Sequence, residues 1–240
     1  MIINQLLHGL TEKTKADAVE RLITDSSPRS DFFLLTALSV LMATLGLMTN
    51  SVSVIIGSML IAPLLSPILS VSMGIVMADP KLMSRSFITI LKAMAVALPA
   101  AAVIALFFTG LRPAAIGNSE IVTRIRPDLA SVAIAFIAGL AASFALIKPQ
   151  LSATLPGVAI SVSLIPPLAV TGIGVASLNW GMIAGSLTLF LINAAAIVFA
   201  SMVVFSFVRF YTKQPVAQRA LEKETKELKK EKAEGEKPAA

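Results

Sequence analysis

Two apolar stretches of this chain carry paired prolines among serines and glycines, and a proline inside a lipid-buried helix changes what the backbone can bind. The first stretch holds Gly57, Ser58, Pro63, Ser66 and Pro67; the second holds Ser161, Ser163, Pro166, Pro167 and Thr171. In continuous helix, Pro63 cannot donate to the carbonyl of Met59, nor Pro67 to that of Pro63. Pro166 and Pro167 likewise release the carbonyls of Val162 and Ser163. Lipid offers no substitute donor, so hydroxyls, water or a solute must. Two half-helix breaks near a bilayer midplane would present free N–H groups to an anion or polar solute and free carbonyls to a cation. The alternative is that the prolines merely kink packing helices. Two further polar groups lie inside apolar spans. Lys92 either snorkels to the membrane surface or lines a pore and attracts anions. Asn193 bonds either a neighbouring helix or a solute.

Other chemistry is poorly supplied. All 14 carboxylates lie outside the apolar spans, which disfavours a proton relay or sodium site built on an intramembrane acid. The one histidine is His8, and there is no cysteine, so metal clusters and thiol chemistry lack their ligands. No G-x-S-x-G elbow or G-x-x-x-x-G-K-[ST] loop occurs. Ser58 has no base near it in sequence. We therefore expect no enzyme, no catalytic residues, no cofactor and no metal.

The elements that would position these groups follow from composition. Of 240 residues, 56% are hydrophobic and 14% charged, against about 25% charged in soluble domains. Six spans are expected, at roughly 32–48, 52–77, 86–110, 129–147, 151–177 and 181–208. Each uncharged run in spans 2 and 5 is 28 residues. As continuous helix it would be about 42 Å long, longer than a hydrocarbon core of about 30 Å. The sequence Val54–Leu64 also recurs as Val158–Leu168, identical at six of 11 positions. A weaker echo pairs Gly74, Ser86 and Leu91 with Gly174, Ser186 and Leu191. A repeat unit of three crossings inverts its successor, so the expected architecture is all-α, with six transmembrane helices in a 3+3 inverted repeat. The organisation is an N-terminal segment (1–30), a first membrane repeat (31–110), a loop (111–128), a second repeat (129–208) and a charged tail (209–240).

Lys13, Lys15, Arg21, Arg29, Lys81, Arg85, Lys148 and the basic tail fall on one side of this arrangement; only Arg112, Arg124 and Arg126 fall on the other. The positive-inside rule then puts both termini in the cytoplasm of a multi-pass cell-membrane protein. The start of the chain does not read as a secretory signal. Residues 1–27 have the spacing of an amphipathic helix lying on the inner leaflet. Ser30-Asp31 is the expected cap of the first span. Trp180 and Tyr211 read as interface anchors. The alternating Glu and Lys of the tail predict a solvated, frayed helix or disorder. Half of the net charge of +6 sits there, so a membrane surface is expected before nucleic acid.

The run from Gly46 through Leu69 (GLMTNSVSVIIGSMLIAPLLSPIL), with Leu164-Ile165-Pro166-Pro167-Leu168-Ala169-Val170, Asn179-Trp180 and Leu191-Ile192-Asn193, resembles domain-of-unknown-function family 389. These are hydrophobic polytopic membrane proteins of archaea and bacteria, and the resemblance covers about 31–207. It implies a polytopic fold and a prokaryotic membrane location, and supplies no substrate or catalytic residue. Some relatives carry an additional soluble N-terminal domain, whereas about 30 residues stand there in this chain. The expected function is a channel or secondary transporter for a small polar solute or ion, in a lipid bilayer and as a homo-oligomer. The competing expectation is a non-transporting membrane scaffold that assembles partners through its bundle and tail.

Overall fold

The structure is a computed structural model that describes residues 11–111, 117–148, 150–151, 158 and 163–235. Ser161, the Lys148-Pro149-Gln150 turn as a whole, most of the expected fifth span before Ser163 and the apolar positions Ile2 to Leu10 lie outside them. Among the described residues every regular element is helical. They are α1 (Glu12–Asp25), α2 (Ser30–Met48), α3 (Val52–Met59), α4 (Leu65–Val76), α5 (Pro80–Leu111), α6 (Ser119–Val122), α7 (Leu129–Ile147), α8 (Ile165–Ala176), α9 (Trp180–Phe207), a 3-10 turn (Phe210–Lys213) and α10 (Gln214–Gly235). Four stretches are long and apolar enough to cross a membrane: Ser30–Met48, Pro80–Phe108, Leu129–Ile147 and Trp180–Phe207. Their outward faces carry bare apolar side chains, with Leu129 84%, Phe107 67% and Phe199 60% exposed. Such a surface suits lipid and not water.

Small residues set how closely the helices approach. Ala93, Ala97, Ala101 and Ala105 recur every fourth residue on α5 and are all buried. That stripe gives a flat seam. α5 packs against α8, α4 and α2, while α9 packs against α7, α8 and α4. A side chain at Gly172 of α8 would meet the Cβ of Ala101 and come within 2.9 Å of the Leu98 carbonyl oxygen. At Gly139 of α7 a Cβ would lie 2.9 Å from the Cα of Ile197 on α9.

One turn design closes three helix hairpins. After α4, the Asp79 amide donates to the Gly74 carbonyl (2.9 Å) and the Ala78 amide to that of Ile75 (3.1 Å). One hundred residues on, Asn179 donates to Gly174 (2.9 Å) and Leu178 to Val175 (3.2 Å). After α2, Ser51 donates to Gly46 (2.8 Å) and Asn50 to Leu47 (3.2 Å). Each pair of bonds is a Schellman closure. The residue that must turn left-handed is Ala78, Leu178 or Asn50, with φ of 51°, 52° and 55°. Asp79 then caps α5 through Oδ1, which accepts from the Leu82 amide (3.1 Å), and Asn179 caps α9 by accepting from Met182 (3.0 Å). A Cβ on Gly74 would press on the Met83 amide (2.8 Å) and one on Gly174 on the Ile183 amide (3.1 Å). The echo at Gly74 and Gly174 thus marks the two places where a following helix passes against its predecessor.

Contacts between distant turns define the ends of the bundle. Asn118 donates to the Leu47 carbonyl (2.6 Å) and Ser119 to Asn50 Oδ1 (3.3 Å). A Cβ on Gly185 would meet the Ile125 carbonyl oxygen. The turn after α2, the loop around 117–128 and the start of α9 therefore share one end. At the opposite end Arg85 Nη2 donates to Ser27 (2.6 Å), and Lys213 pairs with Glu12 (2.6 Å). α1, the start of α5 and α10 meet there.

Three local expectations change. α2 begins at Ser30 as the sequence suggests, but its N-cap is Arg29 and no side chain caps it; Asp31 instead accepts from the Phe32 amide (2.9 Å). The apolar stripe of α1 (Val19, Leu22 and Ile23) is fully buried. It packs on α4, α7 and α10, so protein and not lipid covers it. The tail is a 22-residue helix docked along α1, not a frayed one. Ala217, Leu221 and Glu224 form its buried stripe.

Candidate functional site

The chain between Val52 and Val76 is helical on both sides of a non-helical stretch at Leu60–Leu64, which contains Pro63. The end of α3 is stabilised from outside. Ser58, fully buried, turns its hydroxyl back to the Ile55 carbonyl (2.6 Å). Its own carbonyl accepts from the Ser39 hydroxyl of α2 (2.6 Å) and from the Ile61 amide (3.2 Å). Ser39 thus supplies the donor that an interrupted helix lacks. Sequence reading misses it, because its partner lies on the next helix and no motif surrounds it. Gly57 stands half-buried beside α2, where a Cβ would lie 3.1 Å from Met42 Cε.

The other described prolines of the two paired stretches, Pro67, Pro166 and Pro167, begin helices. α4 starts at Leu65, so Pro67 sits in its first turn, and α8 carries Pro166 and Pro167 in its own first turn. The N–H groups they lack are ones a first turn leaves unpaired in any case. The expected release of the Ser163 and Pro63 carbonyls therefore does not arise from mid-helix proline, and Val162 lies outside the described residues. Both helices start without a side-chain cap, at Leu64 and Leu164. Ser66 is half-buried next to the first start. Ser163, before the second, has a left-handed φ of 49°. α8 also touches α3, which brings the second helix start towards the first interrupted helix.

The hydroxyls further along are already committed. Thr171 donates to the Pro167 carbonyl (2.8 Å) and pairs with Ser186 of α9 (2.8 Å). In the other hairpin Ser86 pairs with Ser70 (2.9 Å). Each bond ties a short helix to the long helix that follows it. Asn193 is buried within α9. Lys92 is exposed on α5 and is not brought to the helix breaks within the chain.

A cluster of ion pairs lies at the end where α1 and α10 meet. Glu224 is 4% exposed. Its carboxylate accepts from Ser27 (2.8 Å), Thr24 (3.0 Å) and Arg29 (3.0 Å), and Arg29 also reaches Glu227 (2.8 Å). Burial pushes the Glu224 carboxyl upward, but the bonds from Ser27, Thr24 and Arg29 outweigh it and hold it below the ordinary value of 4.5. Burial works against the Arg29 charge too, and the Glu224 bond and the acidic residues of α10 outweigh it, raising that group. Glu12, bonded to Lys213 and Lys15, is likewise held below 4.5. A depressed carboxyl contributes stability above its unfolded value and loses it as pH falls through its folded value. The tail should therefore stay docked from neutral pH down to ordinary carboxylate titration and release only below about 4.5. Energy transfer between dyes on Glu20→Cys and Lys230→Cys, in a chain with no native cysteine, should be flat above that range and fall below it.

Two cavities are open at this end. One of about 550 Å³ lies between the start of α5 and α10, and one of about 540 Å³ is an apolar groove between α4 and α9 near Ile75, Phe199 and Phe207. Neither is lined by the residues of the helix breaks. Among the described residues no group of three or more His, Cys, Asp or Glu gathers to hold a metal.

Against known families, the model described as "Domain of unknown function (DUF389)" matches residues 59–199, which take in both helix starts, α5, α7 and most of α9. The chain belongs to the DUF389 family. An uncharacterised protein from Methanocaldococcus jannaschii is 34% identical over 173 residues, 72% of this chain and 52% of the relative. The chain thus spans about half the length of the curated relative it matches. No solved structure matches.

Proposed function

We propose that this DUF389 protein crosses the cell membrane six times, in two three-helix halves of opposite orientation, and is a channel or secondary transporter for a small polar solute or ion. The observation that carries the proposal is the recurrence of one hairpin. α4–α5 and α8–α9 share a closing turn, a cap position and a hydroxyl bond, and each follows an uncapped helix start in the interior. The end contacts support six crossings, because α3 and α4 together lead from the Asn50 turn to the Asp79 turn. α8 leads back to the end shared with Ile125. The docking of α1 on α10 supports placing both termini on one side, and the excess of Lys and Arg there supports the cytoplasm.

The proposed path runs between α3, α4 and α8, past the Ser58 carbonyl and the first-turn amides that the prolines leave, those of Leu65, Ser66 and Ile165. Such groups coordinate ions or polar solutes without any titrating side chain, and the chain acts by permeation, not catalysis. Ser70–Ser86 and Thr171–Ser186 hold each hairpin as a unit, so access would change by one hairpin moving against the other. The bare apolar faces leave room for further copies of the chain. The scaffold alternative draws support from the same hydroxyl pairs, which leave no unspent polar pair there to line an open path. Flux through proteoliposomes, for a panel of cations, anions and neutral solutes, separates the readings. Selective flux that drops in Ser39→Ala/Pro63→Ala is the expected result; none from folded protein, with and without voltage or a pH gradient, favours the scaffold.

A further inference from the structure

The cleft of about 550 Å³ between the start of α5 and α10 is lined by four cations, Lys81, Arg85, Lys226 and Lys229, against one carboxylate, Glu222. Glu224 and Glu227 share the single guanidinium of Arg29, so the four cations of the cleft still outweigh the acids around it. Arg85 is the built part of the cleft. Its Nη2 donates to Ser27 Oγ (2.6 Å), and Ser27 in turn donates to Glu224 Oε2 (2.8 Å). A buried carboxylate thus orients a hydroxyl that orients a guanidinium. The other terminal nitrogen of Arg85, Nη1, is buried with no hydrogen-bond partner. A buried guanidinium donor left unpaired is unfavourable, and a phosphate oxygen is the acceptor that guanidinium geometry and charge fit best. The lysines are exposed on flexible stems and can close over such a group as point charges.

We infer that this cleft binds a phosphate-bearing anion, held by Arg85 and enclosed by Lys81, Lys226 and Lys229. The site joins the first turn of a membrane helix to the terminal helix, so an occupant would strengthen the docking of α10. The chemistry is shared by a soluble phosphate compound and by the headgroup of an anionic phospholipid, and the test separates them.

Full-length protein in a zwitterionic detergent is titrated with inorganic phosphate by equilibrium dialysis. In parallel it is titrated with phosphatidylglycerol or phosphatidylcholine, with bound lipid counted by native mass spectrometry. Lys226→Gln/Lys229→Gln, which alters only exposed side chains, should keep the melting temperature and weaken anion binding about tenfold. Glu222→Gln should tighten it by about threefold. Arg85→Gln should abolish saturable binding. Phosphate binding that follows this order supports a soluble ligand, and phosphatidylglycerol binding in this order without phosphate binding supports a lipid headgroup. The inference is overturned if neither probe binds better than phosphatidylcholine. It is also overturned if binding ignores the lysine and Glu222 variants.

Discussion

Gly172→Leu should be the most damaging single substitution in the membrane core, lowering stability by roughly 2–4 kcal/mol. The reason is geometric. A Cβ at residue 172 would meet Ala101 Cβ and approach the Leu98 carbonyl oxygen to 2.9 Å and the Ala102 amide to 3.3 Å. Two of these three are backbone atoms of α5, so no rotamer change makes room. α5 is poorly able to give way, because its Ala93–Ala105 stripe is fully buried. Gly172→Ala should show most of the loss, since the first carbon already collides. Gly57→Ala should show little, because its one neighbour is the flexible end of Met42 at 3.1 Å. Thermal unfolding in detergent, followed by fluorescence or aggregation, ranks the three variants. Equal loss for Gly57→Ala and Gly172→Ala would contradict the packing described.

Glu224→Ala should release the terminal helix, with a loss of roughly 2 kcal/mol in its docking. Four bonds from three side chains end on a carboxylate that is nearly inaccessible to water. Removing it leaves Arg29 with only the more exposed Glu227 as a partner and unlocks Ser27. Breaking a fully buried pair costs about 3–5 kcal/mol. The loss is smaller here because the Arg29 side chain is 28% exposed and partly screened by water. Glu227→Ala should cost about 0.5 kcal/mol or less, as that carboxylate is 43% exposed. Arg29→Met/Glu224→Met should be milder than either single change, because a buried pair replaced whole leaves no lone charge. Limited proteolysis at Lys223 and Lys226 reads the undocking directly.

Parts of this architecture are legible in the residues, for identifiable reasons. The long apolar helices announce themselves by composition over 19 residues or more. Tight turns at Asn50 and Asn179 are visible because polarity interrupts an otherwise apolar run. The likeness of two turns is visible through Gly74 and Gly174, where only hydrogen fits against the next helix. Two expectations fail for one cause, partners distant in sequence. Alternating Glu and Lys make the tail look solvated, yet Ala217, Leu221 and Glu224, at four- and three-residue spacing, make one buried face. That spacing is a signal present in the sequence. The stripe on α1 suits lipid as well as protein, because apolar periodicity cannot say what covers it. The prolines of α4 and α8 read in the sequence as interruptions within long helices, whereas the structure starts helices with them. Helix boundaries are the least certain feature of any sequence reading. Ser39 has no sequence signal, since its role exists only once α2 and α3 pack.

A solute path past the interrupted helix and the paired helix start is tested most directly by solute and ion flux. Proteoliposomes holding wild type are compared with those holding Ser39→Ala/Pro63→Ala. That pair of changes removes the donor to the Ser58 carbonyl and restores an amide at position 63. Selective flux is expected in the wild type, with about a tenfold drop in the variant at unchanged insertion and a similar melting temperature. Unchanged flux in the folded variant, or none from folded wild type under voltage and pH gradients, would contradict such a path.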